Sequence, residues 1–290
     1  MLKLDRVFFA LGLIGLGVLS LVYGDFALQW QPVPAWLPAR AYLAYLSGAV
    51  MVAGGAGLLA RRTAVLSSGV LLAYLLLWLL LLQLPNVVKA PLVEANWLGF
   101  GEIAVIVAGG WALFAADRAR RESSNLKFAT GERGIRIARL LFALALIPVG
   151  LSHFVYAPQT IAFVPAWLPF RAGWAYLTGA AHIAAGLGVL FGVVPRLAAM
   201  LEAAMIGVFT VLVWVPLVAA TPTNQLQWTG LLVSWTIAAA AWVVAGSLVS
   251  TQSSFTSRGA HDDDSPVRVP ADAGASIEST VGAAKDNVTR

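Results

Sequence analysis

Residues 33–38 read VPAWLP, and residues 164–169 read VPAWLP again, 131 positions later (164 − 33). The continuations are also alike: ARAYLAYLSGAVMVAGGAGLL after the first copy and FRAGWAYLTGAAHIAAGLGVL after the second. The same offset joins Pro34 to Pro165, Tyr45 to Tyr176, Gly48 to Gly179 and Gly57 to Gly188. It returns at Pro85 and Pro216, Pro91 and Pro222, Trp97 and Trp228, and Gly99 and Gly230, with small insertions between the blocks. The chain therefore reads as one unit written twice.

The composition says where such a unit lives. Of 290 residues, 59% are hydrophobic and 11% charged, and the mean hydropathy is +0.80. Soluble domains carry about a quarter charged residues. A chain this poor in charge cannot cover a soluble surface, so it reads as an integral membrane protein whose partner is the lipid bilayer. Cysteine is absent, which excludes disulfides, thiol redox chemistry, iron–sulfur clusters and thiolate zinc sites. The net charge of +5 does not point to nucleic acid, because the basic residues sit in short loops between apolar runs, where charge sets orientation. The start, MLKLDRVFFALGLIGLGVLSLVYG, has the flanking charge of a signal peptide but no small-x-small cleavage site. It also occupies the place of a helix in the repeat, so we read it as a retained first helix.

Eight apolar segments are long enough to cross the roughly 30 Å hydrocarbon layer as helices. They are Val7–Tyr23, Ala41–Ala60, Thr63–Leu84, Trp97–Ala116, Ile135–Tyr156, Gly173–Val193, Leu197–Ala219 and Trp228–Val249. The expected fold class is an all-α integral membrane protein, built as two parallel-repeat four-helix bundles. An even helix number per unit keeps both units in one orientation, unlike the inverted repeats of many transporters. The expected boundaries are 1–116 for the first membrane unit, 117–134 for a basic linker, 135–250 for the second unit and 251–290 for a disordered polar tail. HDDD at His261–Asp264 reads as a solvated acidic run rather than a metal site. Lys3, Arg6, Arg61, Arg62, Arg196 and the linker arginines lie on one side. By the positive-inside rule the termini of this multi-pass cell-membrane protein are cytoplasmic and the VPAWLP loops face outward.

The run GLSHFVYAPQTIAFVPAWLPFRAGWAYLTGAAHIAAGLGVLF (150–191) resembles the DoxX-like family of small four-helix membrane proteins. A Gly-x-Ser-His-Phe element, a Pro-x-Trp-Leu-Pro loop and Tyr-Leu-Thr-Gly before a glycine-rich helix carry the likeness. The second half matches over most of its length, and the first half from Pro34 to Leu59. The resemblance implies the fold and a redox-associated membrane setting, with a redox partner protein. It does not imply a reaction.

Several residues are candidates for a site. Pro34, Trp36 and Pro38, with Pro165, Trp167 and Pro169, make stiff outward loops, because proline removes a donor and restrains its neighbour. The small residues of the two glycine-rich helices allow close backbone approach, and these helices are expected near the centre of the molecule. His182 lies mid-helix, with Thr178 one turn before it, where a polar group is costly. His153 lies near the outer end of its helix, one turn after Pro148. Glu102 is expected at the depth of His153, where a His–Glu pair would make a proton-linked site, and Glu202, nearer the cytoplasm, is read as a packing or interhelical hydrogen-bond residue. The expected ligand-binding set is His153, His182, Glu102, Tyr176, Thr178 and Trp167, around a quinone or similar apolar ligand. Haem is disfavoured and no metal site is expected, since Met51 and Ser20 stand where the second half has its histidines. No Walker, GxGxxG, GxSxG or HExxH motif is present, which removes nucleotide and hydrolytic readings.

Overall fold

A computed structural model of the chain describes residues 3–119 and 129–262, with side chains to residue 248. Among the described residues the elements are helical and no strand occurs. Hydrocarbon dictates this, since each backbone N–H and C=O must be satisfied inside its own segment. We number the helices α1 (Leu4–Tyr23), α2 (Arg40–Leu59), α3 (Ala64–Lys89), α4 (Glu94–Ala119), α5 (Gly131–Val155), α6 (Ala157–Phe163), α7 (Arg171–Leu190), α8 (Pro195–Ala220) and α9 (Gln225–Asp262).

Seven of these, all but α6 and α7, are long and apolar enough to cross a membrane. The sequence reading expects eight. The difference is α7, which has the length of a span but is diluted by Arg171, Thr178, His182 and four glycines. Two short elements are also additional to that reading: α6, and a 3₁₀ turn at Leu28–Trp30. At the other end α9 continues to Asp262, so the tail boundary expected at residue 251 falls within a helix. Asp263 and Asp264 lie outside the described residues, as do residues 120–128 of the linker expected at 117–134.

Two long helices that carry a late proline adapt in the same way. α3 has a π-helical turn at Leu79–Gln83 before Pro85, and α8 has one at Thr210–Trp214 before Pro216. Proline lacks a donor and crowds the carbonyl four residues back, and the wider turn carries the hydrogen-bond ladder past it. Pro148 instead lies inside a helix assigned as α throughout.

The centre of the molecule is α4. In its apolar span 72% of residues are buried, against 17% in α8. α4 packs on α3 and α5, and its Gly109 lies against Ala240 of α9. The glycine-rich helices expected at the centre are instead on the flanks: α2 lies between α1 and α3, and α7 between α5 and α8. Their small residues face their immediate neighbours. A Cβ on Gly48 would come 2.8 Å from Gly17 O in α1, and one on Gly179 would come 2.9 Å from Gly150 O in α5. One turn or two further along, Gly55 meets Ala10 O and Gly186 meets Ala143 O.

Other details recur at the same spacing. Leu37 N donates to Pro34 O, and Leu168 N to Pro165 O. Ala39 and Phe170, which follow the two VPAWLP loops, both have φ of 55°, a left-handed conformation uncommon outside glycine. The indoles of Trp97 and Trp228 donate to Pro91 O and Pro222 O. Arg6 of α1 pairs with Asp117 of α4, and Arg139 of α5 donates to Ser247 of α9.

The glycine contacts generate a test. Gly150→Ala places a methyl 2.5 Å from Gly179 O and should cost about 1–3 kcal/mol, as overpacking does. Gly207→Ala, which would meet nothing within 4 Å, should hold or raise stability through helix propensity. Thermal unfolding in detergent measures both, and equal melting temperatures would contradict the close α5–α7 approach.

Candidate functional site

α5 and α7 bring the two histidines together. The rings of His153 and His182 are 5.0 Å apart, centroid to centroid, and tilted by 50°. The order of the two helices, consecutive and antiparallel, allows the imidazoles to meet despite a sequence-based difference in depth of about two turns, and the rings do meet. The cause is the glycine contact just described: a Cβ on Gly179 would lie 2.6 Å from His153 Cβ, so the bare backbone of α7 fits against the histidine of α5.

Each ring is held by a second group. His153 Nδ1 lies 3.0 Å from Val149 O, one turn earlier in the same helix. His182 Nδ1 lies 2.6 Å from Glu202 Oε1 of α8, and both side chains are almost fully buried. The expected His153–Glu102 pair is therefore replaced by a His182–Glu202 pair. Glu202 is also not nearer one face than its partner. α7 and α8 are joined by a tight turn at residues 191–194, and His182 and Glu202 lie about equally far from it on either side. That symmetry about a short hairpin was the signal available in the sequence. Among the described residues Glu202 Oε2 is buried without a hydrogen-bond partner.

Glu102 takes a different partner. Its Oε2 accepts from Trp30 Nε1 at 2.8 Å. Trp30 comes from the 3₁₀ turn between α1 and α2, and its carbonyl accepts from Trp78 Nε1 and Gln83 Nε2. It is thus fixed from behind by the first half while its indole faces the second. Nothing in the residue pattern around Trp30 marked this inward turn.

These groups border one cavity of about 690 Å³, walled by α4–α9 and by Trp30. Its size and mainly apolar lining match those of small-molecule sites. Glu102, His153, His182 and Thr178 line it. Thr178 spends its hydroxyl on its own helix, donating to Trp174 O and Ala175 O. Trp214 also lines it, edge-on to Trp30 at 6.5 Å, and the Thr210–Ser234 hydroxyl pair closes the α8–α9 side. Tyr176 and Trp167 are not in the lining. Tyr176 stacks on Phe154, 5.7 Å away, on the outer surface, and Trp167 is 69% exposed, as Trp36 is 79% exposed. Both belong to the periphery, where an indole's polar edge suits a bilayer interface. Pro165 borders the cavity; Pro34, Pro38 and Pro169 do not. Among the described residues no group of three or more His, Cys, Asp or Glu side chains gathers as a metal site.

The first half fills its corresponding space with its own chain. Gln31 is buried and donates to Tyr74 Oη at 2.7 Å and Ser47 Oγ at 3.4 Å. Its side-chain oxygen Oε1 accepts from Ala27 N. Ser47 stands where the second half has Thr178. The segment that would do the same in the second half, around Ala162 and Phe163, lies largely on the surface, and the cavity remains open.

A family model described as a domain of unknown function (DUF8561) matches residues 142–245. The match runs from within α5 into α9 and includes His153, His182 and Glu202. No curated protein and no solved structure matches the chain.

The His182–Glu202 contact can be tested alone. Glu202→Ala strands a buried imidazole nitrogen and should cost about 1–3 kcal/mol. Glu202→Gln keeps an acceptor and should cost clearly less. If the two variants melt at the same temperature, the contact is not a stabilising hydrogen bond.

Proposed function

We propose that the chain is a DoxX-like, redox-associated membrane protein that binds a quinone or a similar apolar ligand in the second-half cavity. The observation that carries this reading is a cavity of about 690 Å³ whose mainly apolar wall presents His153, His182 and Glu102. An apolar wall takes up a ring and tail, and a few polar groups orient a head group. Ionisable side chains within a membrane are expensive and mark function by default. In this reading the chain has eight spans, α7 among them, arranged as two parallel four-helix units about an axis near the membrane normal. The recurrence of the Gly17–Gly48 contact as Gly150–Gly179 supports that arrangement. Both termini are cytoplasmic in the cell membrane, the cavity lies toward the outer side, and a redox partner protein supplies or removes electrons.

A second reading is a structural or assembly subunit without chemistry. It is favoured by the His182–Glu202 pair, which ties α7 to α8 in full burial. A small-molecule transporter is a third, tested by flux into liposomes.

Mass spectrometry and an absorption spectrum of protein purified in mild detergent address the first reading directly, with a co-purified quinone expected. Added short-chain quinone should raise the melting temperature, by about 2.7 kcal/mol of stabilisation at a hundred times its Kd. His153→Ala and His182→Ala should each reduce that shift. No shift with any quinone, with both variants like wild type, removes the reading and leaves the assembly role.

A further inference from the structure

The hydrogen bonds around His153 say which nitrogen holds its proton. Val149 O, at 3.0 Å from Nδ1, is a carbonyl and can only accept. Ser152 Oγ, 3.5 Å from Nδ1, donates its own proton to the same Val149 O at 2.7 Å, so it too turns a lone pair toward the ring. Two acceptors at Nδ1 fix the proton there. A neutral imidazole has one N–H, and Nε2 is therefore a bare acceptor. The bond from Nδ1 back to the α5 backbone puts Nε2 on the far side of the ring, away from that helix. Among the described residues Nε2 has no hydrogen-bond partner, and His153 lines the cavity.

A carbonyl ligand would need a donor at that place. The ring could supply one only as the imidazolium, and no carboxylate is at hand to pair with it. Glu202 is engaged by His182, and Glu102 by Trp30. The ring of His182, 5.0 Å away, adds a second imidazole rather than a counter-charge.

We propose that the ligand meets His153 as a hydroxyl donor, the reduced, quinol-like or phenolic form, with His153 Nε2 accepting from its O–H. This rests on the reading that the cavity takes an apolar ligand of the quinone class. It assigns to His153 the choice between the two redox forms. An unpaired acceptor in an apolar cavity is penalised, so a ligand that supplies the missing donor is favoured over one that presents a second acceptor.

The experiment is calorimetric titration of the full chain in detergent, without oxygen, against three probes: a short-chain benzoquinol, its dimethyl ether and the corresponding benzoquinone. The ether keeps the ring and loses both O–H groups. Wild type should bind the quinol about tenfold more tightly than either other probe. His153→Leu should bring the three within about twofold of one another, while His153→Gln, with an amide oxygen at similar reach, should retain part of the preference. Should H153L not fold, the ranking of the three probes by wild type decides the matter. Ether or quinone bound as tightly as quinol by wild type, or an undiminished preference in folded H153L, overturns the proposal and leaves the quinone-class cavity standing. Binding of none of the three removes that cavity reading, and this proposal with it.

Discussion

A single missing methyl group brings the site into being. Where Gly179 passes His153, a Cβ would lie 2.6 Å from the histidine's own Cβ. Helices in lipid gain nothing from hiding apolar surface from one another, so close van der Waals fit has to hold them together. At α5–α7 that fit comes from bare backbone, with Gly150, Gly179 and Gly186 all facing a neighbour at short range. The same closeness sets the two imidazoles beside each other. Packing and site are here one contact seen from two sides.

The two halves use similar backbones for opposite ends. In the first, Gln31 and Trp30 turn inward and are nearly fully buried. Their amide, indole and carbonyl groups are met by Tyr74, Ser47, Glu102, Trp78 and Gln83. In the second, the matching stretch becomes α6 and rides on the surface, with Phe163 51% exposed. One half is filled by its own loop. The other keeps a space and arranges buried polar groups around it.

Much of the fold was readable from residue order. The repeated VPAWLP loops adopt the same turn, and Trp97 and Trp228 make the same indole contact. Helix existence followed from apolar length, because hydrocarbon leaves the backbone no other solution. Residue types at the site were readable as well, since a histidine or carboxylate in an apolar run stands out. Pairing was readable only in part. The hairpin that sets His182 and Glu202 at matching depths is visible in the sequence, whereas Glu102 meets Trp30 because a loop residue folds inward. Tyr176 and Trp167 are near the site in the chain but not in the cavity wall: Tyr176 sits on the outward face of its helix and Trp167 on an exposed loop. The span count differs for a similar reason: the residues that make α7 useful are the ones that lower its hydropathy.

Trp30 carries one more consequence. It lies in the first half of the chain and holds Glu102 of α4, yet it also borders the cavity that the second half mostly builds. The second half cut out by itself would be a vessel with one side removed. Joining the halves in one polypeptide therefore supplies that wall to every chain without an encounter between subunits. A pair of identical four-helix subunits would exchange walls symmetrically and build two like cavities, whereas fused halves are free to differ.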